Sequence, residues 1–292
     1  MEAIIDWIVN FPRRPINHSL PPSLLLYLIP PLPSRRVLLV CAVLLALLVV
    51  RLYWVLPASQ PDPLLAPSRQ GTTASRDAAS EKKVRVAVFL GSGGHTTEII
   101  QLLAALPTSR YSERLYLYSS GDRFSLEKAQ DLERRLRPID GAVAGDVQIL
   151  EIPRARKVHQ SFLTTPLSLA YSLLYCLDHV VWRPLWHARV SHARSWTAAN
   201  IAQGWTGPRC AFADLVLMNG PGTCVPIVAA VYALKLLGFP APKLIYVESF
   251  ARVKSLSLTA KLLRPVVDRF VVQWPEAGGP IGGRTSYNKW LI

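Results

Sequence analysis

A chain of 292 residues, half of them apolar, can build one large domain or two small ones around a sizeable core. Its 33 Lys and Arg against 19 Asp and Glu leave a net charge of +14, which favours anionic partners such as nucleic acid, anionic lipid or a pyrophosphate. No recognition-helix or zinc-finger pattern supports nucleic acid, and four scattered cysteines (Cys41, Cys176, Cys210, Cys224) form neither a disulfide framework nor a zinc site, reading instead as buried free thiols of a reducing compartment.

In chain order, residues 1–36 carry Arg13, Arg14, Arg35 and Arg36 and the sequon Asn17-His18-Ser19. The apolar stretch Leu24–Leu32 is hemmed and interrupted by Pro21, Pro22, Pro30, Pro31 and Pro33, which argues against a spanning helix there. Val37–Val50 is an unbroken apolar run, and Leu52–Leu56 extends it past Arg51. Counted to Leu56 it reaches the roughly 20 residues that cross a bilayer. Arg51 can snorkel to the headgroups, and Tyr53 and Trp54 suit the interfacial belt. Pro57-Ala58-Ser59 imitates a cleavage site, but the long segment before the run favours an uncleaved anchor over residues 37–56. Cations stand on both sides, so charge does not orient it. Residues 57–83, rich in Pro, Ser, Ala and Thr, read as a flexible tether.

Strands and helices then alternate. The pattern predicts a strand over Val84–Leu90, a helix to Leu106, a strand over Leu115–Ser119, a helix over Ser125–Arg137 and a strand over Val147–Ile152. Later come a strand over Leu215–Asn219, a helix over Thr223–Leu237, a strand over Leu244–Glu248, a short helix near Leu256–Leu263 and a strand over Phe270–Gln273. Such alternation implies an α/β fold with a doubly wound parallel sheet over residues 84–276. Between the third and fourth strands, Phe162–Leu177 contains no charged residue, with Arg154, Arg156 and Lys157 before it and Arg183, Arg189 and Arg194 after. It reads either as a helix lying at a membrane surface or as a buried helix covering the sheet, because periodicity does not separate the two. Residues 277–292 form a glycine-rich tail whose segment Ala277–Arg284 is not expected to be regular structure.

The first strand breaks into Gly91-Ser92-Gly93-Gly94-His95-Thr96 before a helix, an order in which free backbone N–H groups and the helix dipole favour phosphate. A dinucleotide fingerprint is incomplete: Thr96 replaces the third glycine, and the second strand runs into Ser119-Ser120-Gly121 with Asp122 past the expected acidic position. A P-loop is excluded, since no Gly-Lys-Ser/Thr follows, while a turn needed for packing alone remains open. His95 can accept a proton from a sugar hydroxyl, donate to a pyrophosphate, or cap the helix. Ser92, Thr96 and Thr97 offer hydroxyls for the same phosphate or for capping. Asn219-Gly220-Pro221-Gly222-Thr223 repeats the device after the fourth strand, again as ligand loop or as a turn with Thr223 as N-cap. Glu248 closes the fifth strand at the same edge, to bind sugar hydroxyls, orient a partner loop, or pair with Arg252 or Lys254. Arg154, Arg156 and Lys157 can neutralise pyrophosphate or form a solvated basic face.

Taken together, Gly91–Thr96 with Glu98, Ser119-Ser120-Gly121-Asp122, Ile152-Pro153-Arg154-Ala155-Arg156, Asn219–Thr223, Glu248-Ser249 and Val271–Glu276 resemble the membrane-anchor subunit of the dolichol-pathway UDP-N-acetylglucosamine transferase. That family is similar to the N-terminal half of MurG-type glycosyltransferases, which carry a Gly-Gly-His in the equivalent loop. The resemblance implies a Rossmann-like domain equal to half of a GT-B fold behind a transmembrane helix. It also implies a cytosolic main domain on the endoplasmic reticulum membrane and residues 1–36 on the non-cytosolic side. A soluble catalytic subunit would complete a heterodimer that adds the second N-acetylglucosamine to dolichyl-pyrophosphate-linked N-acetylglucosamine for protein N-glycosylation. The chain is then inactive alone. No cofactor and no metal-ligating residue is expected, with metal dependence left open by the sequence. His95 is the candidate base. Gly91, Ser92, Gly93, Gly94, Thr96, Asn219, Gly220, Gly222, Thr223 and Glu248 are the acceptor and phosphate set, with Arg154, Arg156 and Lys157 at the membrane or pyrophosphate. The alternative from another class is a free-standing membrane-bound enzyme that holds a nucleotide on the glycine loop.

Overall fold

The computed structural model describes residues 34–59, 83–136, 147–156, 160–161, 163–186, 212–277 and 284–287. The sequon at Asn17, most of the tether, Lys157, Cys210 and the tail glycines lie outside the described residues. The chain divides into two units, Met1–Arg51 and Leu52–Ile292.

Helix α1 runs over Arg35–Val55, 21 residues with a mean hydropathy of 2.6 over its most apolar stretch. At about 1.5 Å per residue it is about 30 Å long, enough to cross a hydrocarbon core.

The larger unit is built on a parallel sheet of seven strands: β1 Arg85–Leu90, β2 Glu113–Ser119, β3 Val147–Ile152, β4 Leu215–Asn219, β5 Lys243–Val247, β6 Arg269–Val272 and β7 Thr285–Tyr287. Their spatial order is β3-β2-β1-β4-β5-β6-β7, every pairing parallel. Apart from β7, this is the doubly wound Rossmann order. The sequence pattern ends the sheet at Gln273, yet residues 285–287 add one more strand against β6. Three residues beyond a glycine-rich run give too short a period to be seen in the sequence.

The helices are α2 Gly94–Ala104, α3 Arg123–Leu136, α4 Thr165–Leu177, α5 Cys224–Leu237 and α6 Leu258–Leu263. Residues 86–90 are buried on both faces, as expected of a central parallel strand that is apolar throughout. Alternate residues feed two cores. Val86, Val88 and Leu90 join Ile99 and Leu103 of α2 and Ala129 and Leu132 of α3 on one face. Ala87 and Phe89 join Cys176 of α4 and Ile227, Val231 and Leu234 of α5 on the other. Helix α5 is apolar on nearly every side because it is nearly all buried, and Gly238 ends it with a left-handed φ of 81°.

Asp268 sits buried at the start of β6. Its carboxylate takes the Nζ atoms of Lys235 and Lys243 at 3.2 and 3.1 Å and the Leu244 N–H at 2.9 Å. Burial alone would raise its carboxyl, but Lys235, the Leu244 N–H and Lys243 together hold it below the usual aspartate range. A depressed carboxyl contributes stability above its unfolded-state value and loses it as pH falls through the folded one. Asp268→Asn should therefore cost about 2–3 kcal/mol at neutral pH, discounted for the exposed Lys243. That difference from the parent should shrink in acid below the aspartate range, as read by urea unfolding in detergent at both pH values.

Candidate functional site

Strand order reverses direction between β1 and β4, and open α/β sheets bind ligands at the carboxyl ends of the strands flanking such a point. Here β1 leads into Gly91–Gly94 and β4 into Gly220–Gly222, while β5 delivers Glu248 and Ser249 to the same edge.

The glycines of the two turns do different work. A Cβ on Gly91 would lie 2.6 Å from the His95 Cβ and 2.9 Å from the Asn219 carbonyl oxygen. Gly220, at φ +103°, faces the His95 ring so closely that its Cβ would lie 2.6 Å from Cγ. These two allow the turns to pack on each other through His95. Gly93, Gly94 and Gly222 instead border open space. Gly93, at φ +65°, starts α2 with no side-chain cap on its first-turn N–H groups. Exposed backbone of this kind, beside exposed Ser92, is suited to an anionic group.

Across the junction runs one hydrogen-bonded line. Asn219 Nδ2 donates to Glu98 Oε2 at 2.6 Å, and Asn219 Oδ1 lies 2.8 Å from His95 Nδ1. Ser249 Oγ donates to Glu98 Oε1 at 2.9 Å, and the Phe250 N–H to Oε2 at 3.3 Å. A carboxylate only accepts, so the Asn219 amide must turn its nitrogen to Glu98 and its oxygen to His95. Nδ1 of a neutral imidazole then carries the hydrogen, and Nε2 keeps a lone pair. Among the described residues Nε2 has no hydrogen-bond partner. That tautomer is the one a general base needs.

Glu98 is the member that the sequence motifs left without a role. Its signal is spacing: it follows His95 by three residues on α2, which puts both on one helix face.

Several expected ligands are instead structural in their contacts. Thr96 is fully buried, its Oγ1 2.6 Å from Ser125 Oγ, whose single hydrogen has the Asp122 Oδ2 at 2.7 Å and the Gly91 carbonyl at 3.1 Å as acceptors. Asp122 Oδ1 takes the Ser125 N–H at 3.2 Å, so both carboxylate oxygens are engaged at the start of α3. Thr223 is buried, accepts from the Ala155 N–H at 3.3 Å and makes no side-chain cap on α5. Glu248 is 1 % exposed and accepts from the Ser249 N–H and the Ser257 N–H, each at 3.0 Å, and from Ser257 Oγ at 3.1 Å. It latches the loop after β5 rather than meeting Arg252 or Lys254. Arg154 Nε donates to the Ser120 carbonyl at 3.0 Å, and Arg156 reaches the Gln160 carbonyl through Nη2 at 2.9 Å.

Among the described residues no cluster of three or more His, Cys, Asp or Glu gathers to hold a metal. Cys176 and Cys224 are free and buried, and burial pushes the Cys176 thiol up to about 12. Cys41, on α1, is exposed rather than buried.

Residues 86–286 match the family model described as oligosaccharide biosynthesis protein Alg14 like. The chain is 39 % identical over 214 residues to the UDP-N-acetylglucosamine transferase subunit ALG14 of Cryptococcus neoformans var. neoformans serotype D, covering 73 % of this chain and 83 % of that one. It is 42 % identical over 189 residues to the Schizosaccharomyces pombe subunit (65 % and 75 % covered). With the Mus musculus subunit it shares 35 % over 196 residues (66 % and 77 %). The crystal structure of Acinetobacter baumannii MurG aligns with a TM-score of 0.41 and 13 % identity, covering 70 % of this chain and 45 % of that one. Strand order, not that likeness, sets the fold class. The family match spans well over half of the chain, and relatives above 30 % identity extend across it: this chain belongs to the Alg14-like family of oligosaccharide biosynthesis proteins.

Proposed function

We propose that this chain is the membrane-anchoring, acceptor-presenting subunit of a UDP-N-acetylglucosamine transferase, and that the Glu98–Asn219–His95 line at the β1/β4 switch point is its contribution to chemistry. The names of its relatives supply the reaction class. The carrying observation is the single switch point with a base-ready imidazole beside open glycine backbone. The chain brings one wall of a cleft, half of a GT-B pair, and a soluble catalytic subunit brings the other wall with the sugar nucleotide. The resulting heterodimer works on the cytosolic face of the endoplasmic reticulum, held there by α1, with residues 1–36 on the far side and residues 57–83 as tether.

The acceptor is dolichyl-pyrophosphate-linked N-acetylglucosamine. Its pyrophosphate lies against the exposed backbone of Ser92, Gly93, Gly94 and Gly222, with Arg154, Arg156 and Lys157 as the nearby cations. An acceptor hydroxyl attacks the anomeric carbon of the donor sugar while its proton passes to His95 Nε2. The new glycosidic bond forms as the bond to the departing UDP breaks. Asn219 and Glu98 fix the ring and stabilise the imidazolium that results. Holding both substrates in register supplies the remainder.

Titrating the purified full-length chain in detergent tests this division of labour. A short-chain prenyl pyrophosphate N-acetylglucosamine should bind and UDP-N-acetylglucosamine should not. Donor binding by the chain alone would favour the free-standing nucleotide enzyme instead.

A further inference from the structure

Helix α4 is packed inside out for a helix of a soluble domain. Its buried side is small and polar: Ser172 and Cys176 are buried, Ser172 Oγ donates to the Pro153 carbonyl at 2.7 Å, and Ser168 Oγ to the Ala155 carbonyl at 2.8 Å. Several large apolar side chains face away from the domain, while Leu169, Leu173 and Leu177 are half-buried. Leu163, just before the helix, is 90 % exposed, Leu167 76 %, Tyr171 63 % and Leu174 65 %. The chain continues through a π turn, Asp178–Trp182, and Trp182 and Trp186 are 68 % and 59 % exposed. A water-facing helix normally reverses this arrangement, turning its apolar stripe to the core.

We infer that this exposed face is a second membrane contact, in which the α4 face lies in the headgroup and upper acyl region of a bilayer carrying anionic lipid. Four observations favour lipid over a protein partner. Tyr171, Trp182 and Trp186 are the residue types that collect at the interface. The acid of the segment, Asp178, is tied to Arg183 at 2.7 Å, so no unpaired carboxylate among described residues 160–186 repels an anionic headgroup. The excess of cations over the whole chain complements such a surface. Fourth, Val55, where the apolar helix α1 ends, lies in the same core cluster as Cys176, Val180 and Val181, which back the exposed face. Val55 belongs to the same unit as that face, so the chain leaves the apolar helix directly into the core behind it. Held at two places, the domain would present its switch-point edge to the bilayer in a fixed attitude.

The inference rests on the anchoring role proposed for α1, and the test separates the two. Full-length chain with Cys41→Ser and Cys210→Ser is labelled with an environment-sensitive fluorophore at Leu167→Cys, at Leu44→Cys in α1, or at exposed Gln130→Cys on α3. Each is reconstituted in phosphatidylcholine–phosphatidylinositol vesicles with and without acyl-brominated lipid. The label at 167 should be quenched about twofold or more, as befits a face sunk into the acyl boundary, while that at 130 is not. A label at 167 that stays unquenched overturns the inference. So does one shielded only when a protein partner is added, since the face then belongs to that protein. Loss of quenching at 44 alone would count against the anchor and leave the α4 face standing.

Discussion

Replacing His95 by alanine should lower kcat of the assembled transferase by about a hundred- to ten-thousandfold, the span that positioned proton transfer contributes. The fold should survive, because His95 is half-buried and, among the described residues, its ring makes one polar contact, to Asn219. Thermal unfolding within a few degrees of the parent, beside a collapse in kcat with KM for the acceptor little changed, would establish a chemical role. Glu98→Gln is the informative companion. With one acceptor oxygen in place of two it cannot accept from both Ser249 Oγ and the Phe250 N–H, and it no longer forces the Asn219 amide into one orientation, so kcat should fall less, by about tenfold, with a pH profile different from the parent. Equal, small losses for both variants would reduce His95 to a packing residue between the turns.

Gly220→Ala should be the most damaging single change at the site. The new Cβ would lie 2.6 Å from His95 Cγ and 2.8 Å from Nδ1, at a φ of +103°, so the ring must shift to admit it. Backbone strain and overpacking together should cost about 2–4 kcal/mol and displace the imidazole from Asn219, abolishing transfer. Gly222→Ala makes the contrast: its Cβ would meet open space, so stability should change by less than about 1 kcal/mol. If pyrophosphate rests on that backbone, its effect should appear in KM for the acceptor.

The elements were legible because the buried strands β1 and β4 are continuous apolar runs and each ends in glycine. Alternation of strand and helix implied the parallel sheet with two glycine turns at its carboxyl edge, but not the strand order that places the switch point between them. What stayed hidden depends on contacts between distant segments. Glu98 and Asn219 are 121 positions apart, and nothing local in either shows that they meet. Thr96 and Thr223 carry the hydroxyls a phosphate loop would use, and only the packed structure shows that they also meet Ser125 Oγ and the Ala155 N–H. Glu248 stands at the right edge but is consumed by Ser257. The apolar Phe162–Leu177 stretch was compatible with either a core helix or a surface one, and only the hydroxyl bonds of Ser168 and Ser172 to the loop after β3 decide which face turns inward.

One assay bears most directly on the proposal of a divided site. Purified full-length chain, free of any companion protein, is given UDP-N-acetylglucosamine and a lipid-pyrophosphate N-acetylglucosamine acceptor, and then the same mixture with the soluble subunit added. No disaccharide should form until the second polypeptide is present, and its appearance should then require His95. Steady formation of disaccharide by this chain unaided would contradict the proposal.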